Sequence, residues 1–108
     1  MPQTQALLFP RYGIDLTIAH PKEFPLSDYI VAKAKANAAA SGSTIRFTND
    51  MDAAFENADV VIPKNWGGFG AYGVQDFLDN EASCKKEMAE NLAKHKDWIC
   101  DDRRIKLA

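Results

Sequence analysis

The chain has 108 residues, a formal net charge of −2 and 26% charged residues, which is typical of one small globular domain. This charge balance argues against a nucleic-acid binder, which would carry a clustered excess of lysine and arginine. The sequence has no apolar run near the roughly 20 residues of a membrane span, and its first residues lack the charge order of an export signal. We therefore expect neither nucleic acid nor a membrane as a partner.

The first half of the chain predicts a helix, a strand and a second helix. The first helix ends at Gly13, and Pro10 should kink its last turn because proline lacks the backbone donor. Alternating apolar residues predict a strand at 15–19. An amphipathic helix then begins after Ser27, a good N-cap residue, and ends at Ser41-Gly42.

The second half continues the alternation of strands and helices. A strand is predicted at 44–48, and Asn49 or Asp50 should cap the short helix after it. A third strand at 59–62 is followed by a glycine-rich loop, a charged helix and the start of a further helix. Strands separated by helices pair in parallel through right-handed crossovers. The sequence therefore predicts an α/β fold with a Rossmann-like parallel sheet and flanking helices.

This order begins with a helix that no strand precedes and ends with a helix that no strand follows. In the usual doubly wound order, the strand before the first helix lies at the centre of the sheet. We therefore expect a truncated fold with three visible strands, in which the first and last strands of the domain are missing. Residues 1–108 would then form a single partial domain.

Four segments together resemble one enzyme family. They are YGIDLTIAHP, VAKAKANAAASGSTIRFTNDMDAAFENADVV, PKNW and HKDWICDDRRIKLA. Their combination is similar to the second domain of the aspartate/ornithine carbamoyltransferases. It most resembles the knotted subgroup, which holds N-acetylornithine and N-succinylornithine carbamoyltransferases. The resemblance runs across essentially the whole chain, and it is specific as a combination rather than in any single piece.

The resemblance implies a function. Enzymes of this family transfer a carbamoyl group from carbamoyl phosphate to the amine of an ornithine-like or other amino-acid acceptor, without a cofactor or metal. They have two α/β domains and work as homotrimers with active sites between subunits. The family's Ser-Thr-Arg-Thr and His-Cys-Leu-Pro motifs do not occur in this sequence. We therefore expect this piece to supply the amino-acid-binding half of the site, to contain no catalytic residue, and to be inactive alone.

The first candidate site follows the predicted third strand. Ligands of parallel α/β sheets bind outside the carboxyl ends of the strands. Where the family's ornithine enzymes carry an Asp and a Ser-Met-Gly turn, this chain has Lys64, Asn65 and Trp66 before a pair of glycines. We expect these three residues to bind an acylated or otherwise larger acceptor than ornithine. Trp66 would form a wall of its pocket, and the glycines would let the loop close.

Gln3 is the second candidate. The resemblance places it where the family's ornithine enzymes have an asparagine at the start of a helix, contacting the substrate. A glutamine amide can both donate and accept hydrogen bonds, which suits a carboxylate or an amide group.

Simpler interpretations stay open. Trp66 can be a hydrophobic plug of the strand end, Lys64 a solvated loop charge, and Gln3 an ordinary helix-start residue. His20 is interpreted as a hydrogen-bonding residue at the end of a strand rather than as a catalytic base. The alternative function is a catalytically silent α/β remnant that binds an amino acid or associates with full-length subunits. A nucleotide-dependent oxidoreductase is disfavoured because the glycine-rich fingerprint is missing.

The two cysteines indicate the redox state of the compartment in which the protein is expected. Cys84 and Cys100 show neither metal-ligand spacing nor a CxxC motif. We expect free thiols in a reducing cytoplasm and no metal site.

Overall fold

The structure is a computed structural model that describes residues 1–64 and 79–108. The chain divides into two compact units, Met1–Glu56 and Asn57–Ala108. Each unit is built around its own helices.

The first unit begins with a helix that changes its winding. Helix α1 spans Pro2–Leu8 and continues as a 3₁₀ helix over Phe9–Tyr12. Pro10 accounts for the change, because it cannot donate the hydrogen bond that would continue the α-helix. Gly13 ends the segment with a left-handed φ of 75°, a conformation that glycine adopts without steric cost. The predicted kinked helix with a glycine end is confirmed.

A parallel βαβ unit follows. Strand β1 (Leu16–Ala19) leads into helix α2 (Asp28–Ser41), which ends at Gly42 with a φ of 78° and returns the chain to strand β2 (Ile45–Thr48). The two strands pair in parallel, and the register sets the first residue of β1 opposite the first residue of β2. The α/β class and the parallel pairing predicted from the sequence are confirmed.

Helix α3 spans Met51–Phe55 and has a defined N-cap. The Asp50 carboxylate accepts the Ala53 N–H at 3.1 Å. Of the two caps that the sequence allowed, the structure selects Asp50.

The core of the first unit lies where α1 packs on α2. Ala6 and Ala34 are fully buried, Ala38 is 4% exposed, and Pro10 is the largest fully buried side chain. Small side chains on both helices let their backbones approach closely. A hydrogen bond also links the two helices, because Asn37 Nδ2 on α2 donates to the Leu7 carbonyl of α1 at 3.0 Å.

The second unit contains helix α4 (Glu81–Lys94) and the single turn of helix α5 (Asp102–Ile105). The Asp101 carboxylate caps α5 by accepting the Arg104 N–H at 2.9 Å, and the Arg104 guanidinium donates to the Ile99 carbonyl at 2.9 Å. These bonds hold the connection between α4 and α5.

Apolar side chains one turn apart form a stripe on α4 that is only partly buried. Cys84 is 5% exposed, Met88 is half-buried, and Leu92 is 50% exposed. The stripe therefore turns towards solvent at its C-terminal end, within the surroundings that the structure describes.

The third predicted strand is wrong. Residues 59–62 form no strand, and the sheet of the described residues has two strands, β1 and β2. Among residues 1–64 and 79–108, no backbone hydrogen bond involves this segment, and Val60 is 75% exposed. A strand forms only when its N–H and C=O groups pair with a neighbouring strand, so an apolar β-branched pattern does not suffice alone.

No helix within residues 1–64 and 79–108 combines the length and apolar character that crossing a membrane requires.

Candidate functional site

The carboxyl ends of β1 and β2 meet at one edge of the sheet, where ligands of parallel α/β folds bind. The ladder continues one step past the strands, since His20 N–H donates to the Thr48 carbonyl at 3.0 Å. Asn49, the first residue after β2, then donates from Nδ2 to the His20 carbonyl at 2.8 Å. The Asn49 side chain therefore connects the carboxyl ends of β1 and β2.

The His20 ring is tied to its own backbone. Its Nδ1 lies 2.8 Å from the Pro21 carbonyl oxygen. Because a carbonyl only accepts, Nδ1 carries the proton and Nε2 is the unprotonated nitrogen of the neutral ring. The interpretation of His20 as a hydrogen-bonding residue at the strand end agrees with this geometry.

Gln3 connects the beginnings of two helices. Its Oε1 accepts the backbone N–H of Ser27 at 3.0 Å, across 24 positions of sequence. Gln3 lies in the first turn of α1, and Ser27 is the N-cap of α2. The loop between β1 and α2 therefore closes onto the start of α1.

The Gln3–Ser27 hydrogen bond takes the place of a local capping bond that α2 lacks. In a capping box, a Glu or Gln at the third helical position accepts the N–H of the N-cap residue. That position of α2 is Ile30, which has no acceptor, and the Ser27 hydroxyl makes no capping bond. Gln3 supplies the acceptor from another helix, which is a structural role for this side chain.

Lys64 belongs to the second unit. Although much of its side chain is exposed, partial burial lowers the pKa of the Lys64 ammonium, because the charged form loses hydration. Asn65 and Trp66 lie outside the described residues. Of the four predicted site residues, the structure therefore gives contacts or charge information for Gln3 and Lys64.

Two hydrogen-bonding groups in this region were not predicted from the sequence. Asn49 was considered only as a helix cap, and the N–H of Ser27 was not considered as a partner for Gln3. The lack of a capping-box acceptor at Ile30 was the available signal for the second. Within the described ranges, no group of three or more His, Cys, Asp or Glu side chains is arranged to hold a metal.

The parallel βαβ unit makes the chain an α/β protein with the carboxyl ends of both strands at one edge of the sheet. Residues 1–108 match the family description "Aspartate/ornithine carbamoyltransferase, Asp/Orn binding domain". The chain belongs to this family.

Individual proteins named as carbamoyltransferases are also similar to this chain. YgeW of Escherichia coli strain K12, named provisionally as a carbamoyltransferase, is 35% identical over 113 residues, covering 99% of this chain and 28% of that protein. The ornithine carbamoyltransferase of Rhodococcus opacus strain B4 is 33% identical over 91 residues, covering 77% of this chain and 29% of the relative. The chain thus spans less than a third of these relatives.

A solved structure shows the same fold. A mutant of N-acetyl-L-ornithine transcarbamylase, complexed with carbamyl phosphate and N-succinyl-L-norvaline, superposes with a TM-score of 0.74. The two chains are 26% identical, and the match covers 99% of this chain and 30% of that one.

Proposed function

We propose that residues 1–108 form part of the second, amino-acid-binding domain of a carbamoyltransferase. The proposed enzyme transfers a carbamoyl group from carbamoyl phosphate to the amine of an ornithine-like amino acid. The observation that carries the proposal is the match of the whole chain to the Asp/Orn-binding domain of the family. The polar carboxyl edge of the β1–β2 sheet supports it, because that edge is where such a domain binds its ligand.

The proposed reaction requires this domain to position the acceptor, and it does not require a nucleophilic side chain from it. The neutral amine nitrogen of the acceptor forms a bond to the carbamoyl carbon, the bond from that carbon to the phosphate oxygen breaks, and phosphate leaves with the electron pair. The amine proton is released to phosphate or to water. Holding the amine against the carbamoyl carbon supplies much of the acceleration, and donors aimed at the developing oxyanion add to it.

We propose that the acceptor is an acylated or similarly enlarged ornithine. Support comes from the residues Lys64, Asn65 and Trp66, which stand where the family's ornithine enzymes carry an Asp and a Ser-Met-Gly turn. The similarity to an N-acetyl-L-ornithine transcarbamylase points the same way. In this proposal Gln3, Lys64, Asn65 and Trp66 bind the acceptor, and the Lys64 ammonium pairs with a carboxylate of it.

We propose further that the complete enzyme is a homotrimer that acts in the cytoplasm and needs no cofactor. The resemblance to enzymes that work as trimers with active sites between subunits supports this part of the proposal.

Restoring the complete protein that contains this chain tests the proposal. Carbamoyl phosphate is supplied with L-ornithine, N-acetyl-L-ornithine, N-succinyl-L-ornithine or putrescine, and the ureido product is measured. We expect transfer to an acylated ornithine, and no transfer by the purified 108-residue chain. A matched reaction without carbamoyl phosphate gives the background. A complete protein that binds an amino acid but carbamoylates none of them would instead support a silent binding module.

A further inference from the structure

The outer edge of strand β1 has no paired neighbour within the part of the chain that the structure describes. The N–H groups of Leu16 and His20 donate to the β2 side, and the direction of the backbone groups alternates along a strand. The N–H and C=O groups of Thr17 and Ala19 therefore point away from β2, towards the outer edge. The residues of β1 are only half-buried, so the described chain does not enclose this edge.

The two edges of the sheet differ in how well they are protected. Strand β2 carries the exposed and charged Arg46, and a charged side chain is one of the devices by which an edge strand avoids pairing with another chain. Strand β1, with the sequence LTIA, contains neither a charge nor a proline. The outer edge of β1 is therefore the unprotected edge of this sheet.

This edge is complementary to itself. Two copies related by a two-fold axis bring their β1 strands together antiparallel. Placing Ile18 opposite Ile18 of the second copy sets each Thr17 opposite the other copy's Ala19, and each of these pairs exchanges two hydrogen bonds. Every outward N–H and C=O group of Thr17 and Ala19 is then used. A register centred on Ala19 instead would set Thr17 opposite Pro21, which has no N–H to donate.

We propose that two copies of this chain associate through the outer edges of their β1 strands, in the antiparallel register centred on Ile18. The joined sheet has the strand order β2–β1–β1–β2, so both of its outer strands carry Arg46. The assembly therefore closes as a dimer and does not grow into a filament. The inference concerns the 108-residue chain itself and goes beyond the proposed function, because it depends on the sheet alone.

Ala19→Pro tests the pairing of the backbones. Proline removes the Ala19 N–H, which faces the outer edge, and leaves the ladder to β2 intact, as is usual for proline in an edge strand. The dimer would lose two of its hydrogen bonds, one donated by each copy. Ala19→Val is the matched control, because valine keeps the N–H and favours a strand.

Analytical ultracentrifugation of the 108-residue chain measures the association. We expect a monomer–dimer equilibrium whose Kd rises about tenfold or more in Ala19→Pro, through the two lost hydrogen bonds. Ala19→Val should change the Kd less than about threefold. Amide hydrogen exchange gives a second measurement, since the Thr17 and Ala19 N–H groups should be protected in the dimer and exchange faster on dilution.

Ile18→Cys tests the register. Residues directly opposite each other in a pair without hydrogen bonds have Cα atoms about 4.5 Å apart, within the range that a disulfide spans. In a Cys100→Ser background, which removes the exposed native thiol, Ile18→Cys should give a disulfide-linked dimer on oxidation. Leu16→Cys is the matched control on the same face of the strand, because it would lie about 13 Å along the strand from its counterpart and form no bridge.

A wild-type chain that sediments as a monomer, or that has no folded structure by circular dichroism, overturns the inference. Protected Thr17 and Ala19 amides in such a monomer would show that a segment of the same chain covers the edge. A dimer that Ala19→Pro leaves unchanged and Ile18→Cys does not link would place the interface elsewhere. Assemblies larger than a dimer would contradict the protection of β2, and both results overturn the inference.

Two controls keep the outcome clear. Should Ala19→Pro fail to fold by circular dichroism, the comparison of Ile18→Cys with Leu16→Cys decides whether the β1 edges pair. Absence of carbamoyl transfer by the complete protein would overturn the proposed function and leave this inference standing, because sedimentation and crosslinking do not measure transfer.

Discussion

The Asp15 carboxylate accepts two hydrogen bonds from Thr44, one from its backbone N–H at 2.7 Å and one from its hydroxyl at 3.0 Å. Asp15 immediately precedes β1, and Thr44 immediately precedes β2. The amino ends of the two strands are therefore fastened by one side chain, as Asn49 fastens the carboxyl ends to the His20 carbonyl. These end contacts add to the backbone ladder of four paired positions, which is in the same register.

Asp15→Ala should destabilise the complete protein by about 1 kcal/mol, because the exposed Thr44 groups lose a charged acceptor but regain water. Asp15→Asn is the control, since one amide oxygen can still accept both bonds, and it should cost less. Urea denaturation followed by circular dichroism measures both variants. Equal stability of Asp15→Ala and wild type would show that the ladder alone sets the register.

Asn37→Ala should cost about 1–2 kcal/mol, because it leaves the Leu7 carbonyl at the end of α1 without the donor that now satisfies it. Asn37→Asp should cost at least as much, since a carboxylate cannot donate to a carbonyl. Thermal melting of the three proteins checks the order. An Asp variant as stable as wild type would contradict it.

Ala34→Leu should destabilise by about 1–3 kcal/mol or more, because a larger side chain has no room at a fully buried contact between α2 and α1. Ala36→Leu places the same side chain on an exposed position of the same helix and should be nearly neutral. Comparing the denaturation midpoints of the two variants isolates the effect of burial. A similar small change in both would mean that the helices can separate to admit the larger group.

Glu81 and Lys85 form an exposed ion pair one turn apart on α4. The hydrogen bond and charge of Lys85 lower the pKa of the Glu81 carboxyl. A lowered folded-state pKa means that the contribution is present above the unfolded pKa and fades as the pH falls through the folded value. Because the pair is exposed, Glu81→Gln should change the melting temperature little at pH 7. The small difference should vanish in acid, and one that grows as the pH falls would contradict the assignment.

Trp66→Ala should raise the KM of the complete enzyme for the acceptor far more than its KM for carbamoyl phosphate, if Trp66 forms a wall of the acceptor pocket as proposed. Trp66→Phe is the control, because it keeps an aromatic surface and should retain much of the affinity. Steady-state kinetics with N-acetyl-L-ornithine measures both. Equal effects on the two substrates, or loss of folding alone, would favour the interpretation of Trp66 as a hydrophobic plug.

Sequence alone determined the features that depend on neighbouring residues. Gly13 and Gly42 end their helices with left-handed φ values of 75° and 78°, as their positions after apolar helical segments predicted. Pro10 changes the winding of its helix because it lacks a donor, wherever the rest of the chain lies. The order of strand, helix and strand likewise predicted the parallel pairing of β1 and β2, because a crossover helix leaves few other arrangements.

Tertiary structure decided which backbone and side-chain groups find partners far away in sequence. Residues 59–62 have the composition of a strand, yet no segment within residues 1–64 and 79–108 pairs with them, and they form no strand, since a strand is a property of two segments. Gln3 read locally is a helix-start residue that could donate or accept. Its acceptor end is assigned only by the Ser27 N–H, 24 positions away, which the folded chain brings to 3.0 Å. The orientation of the Gln3 amide is thus set by a contact that no local pattern contains.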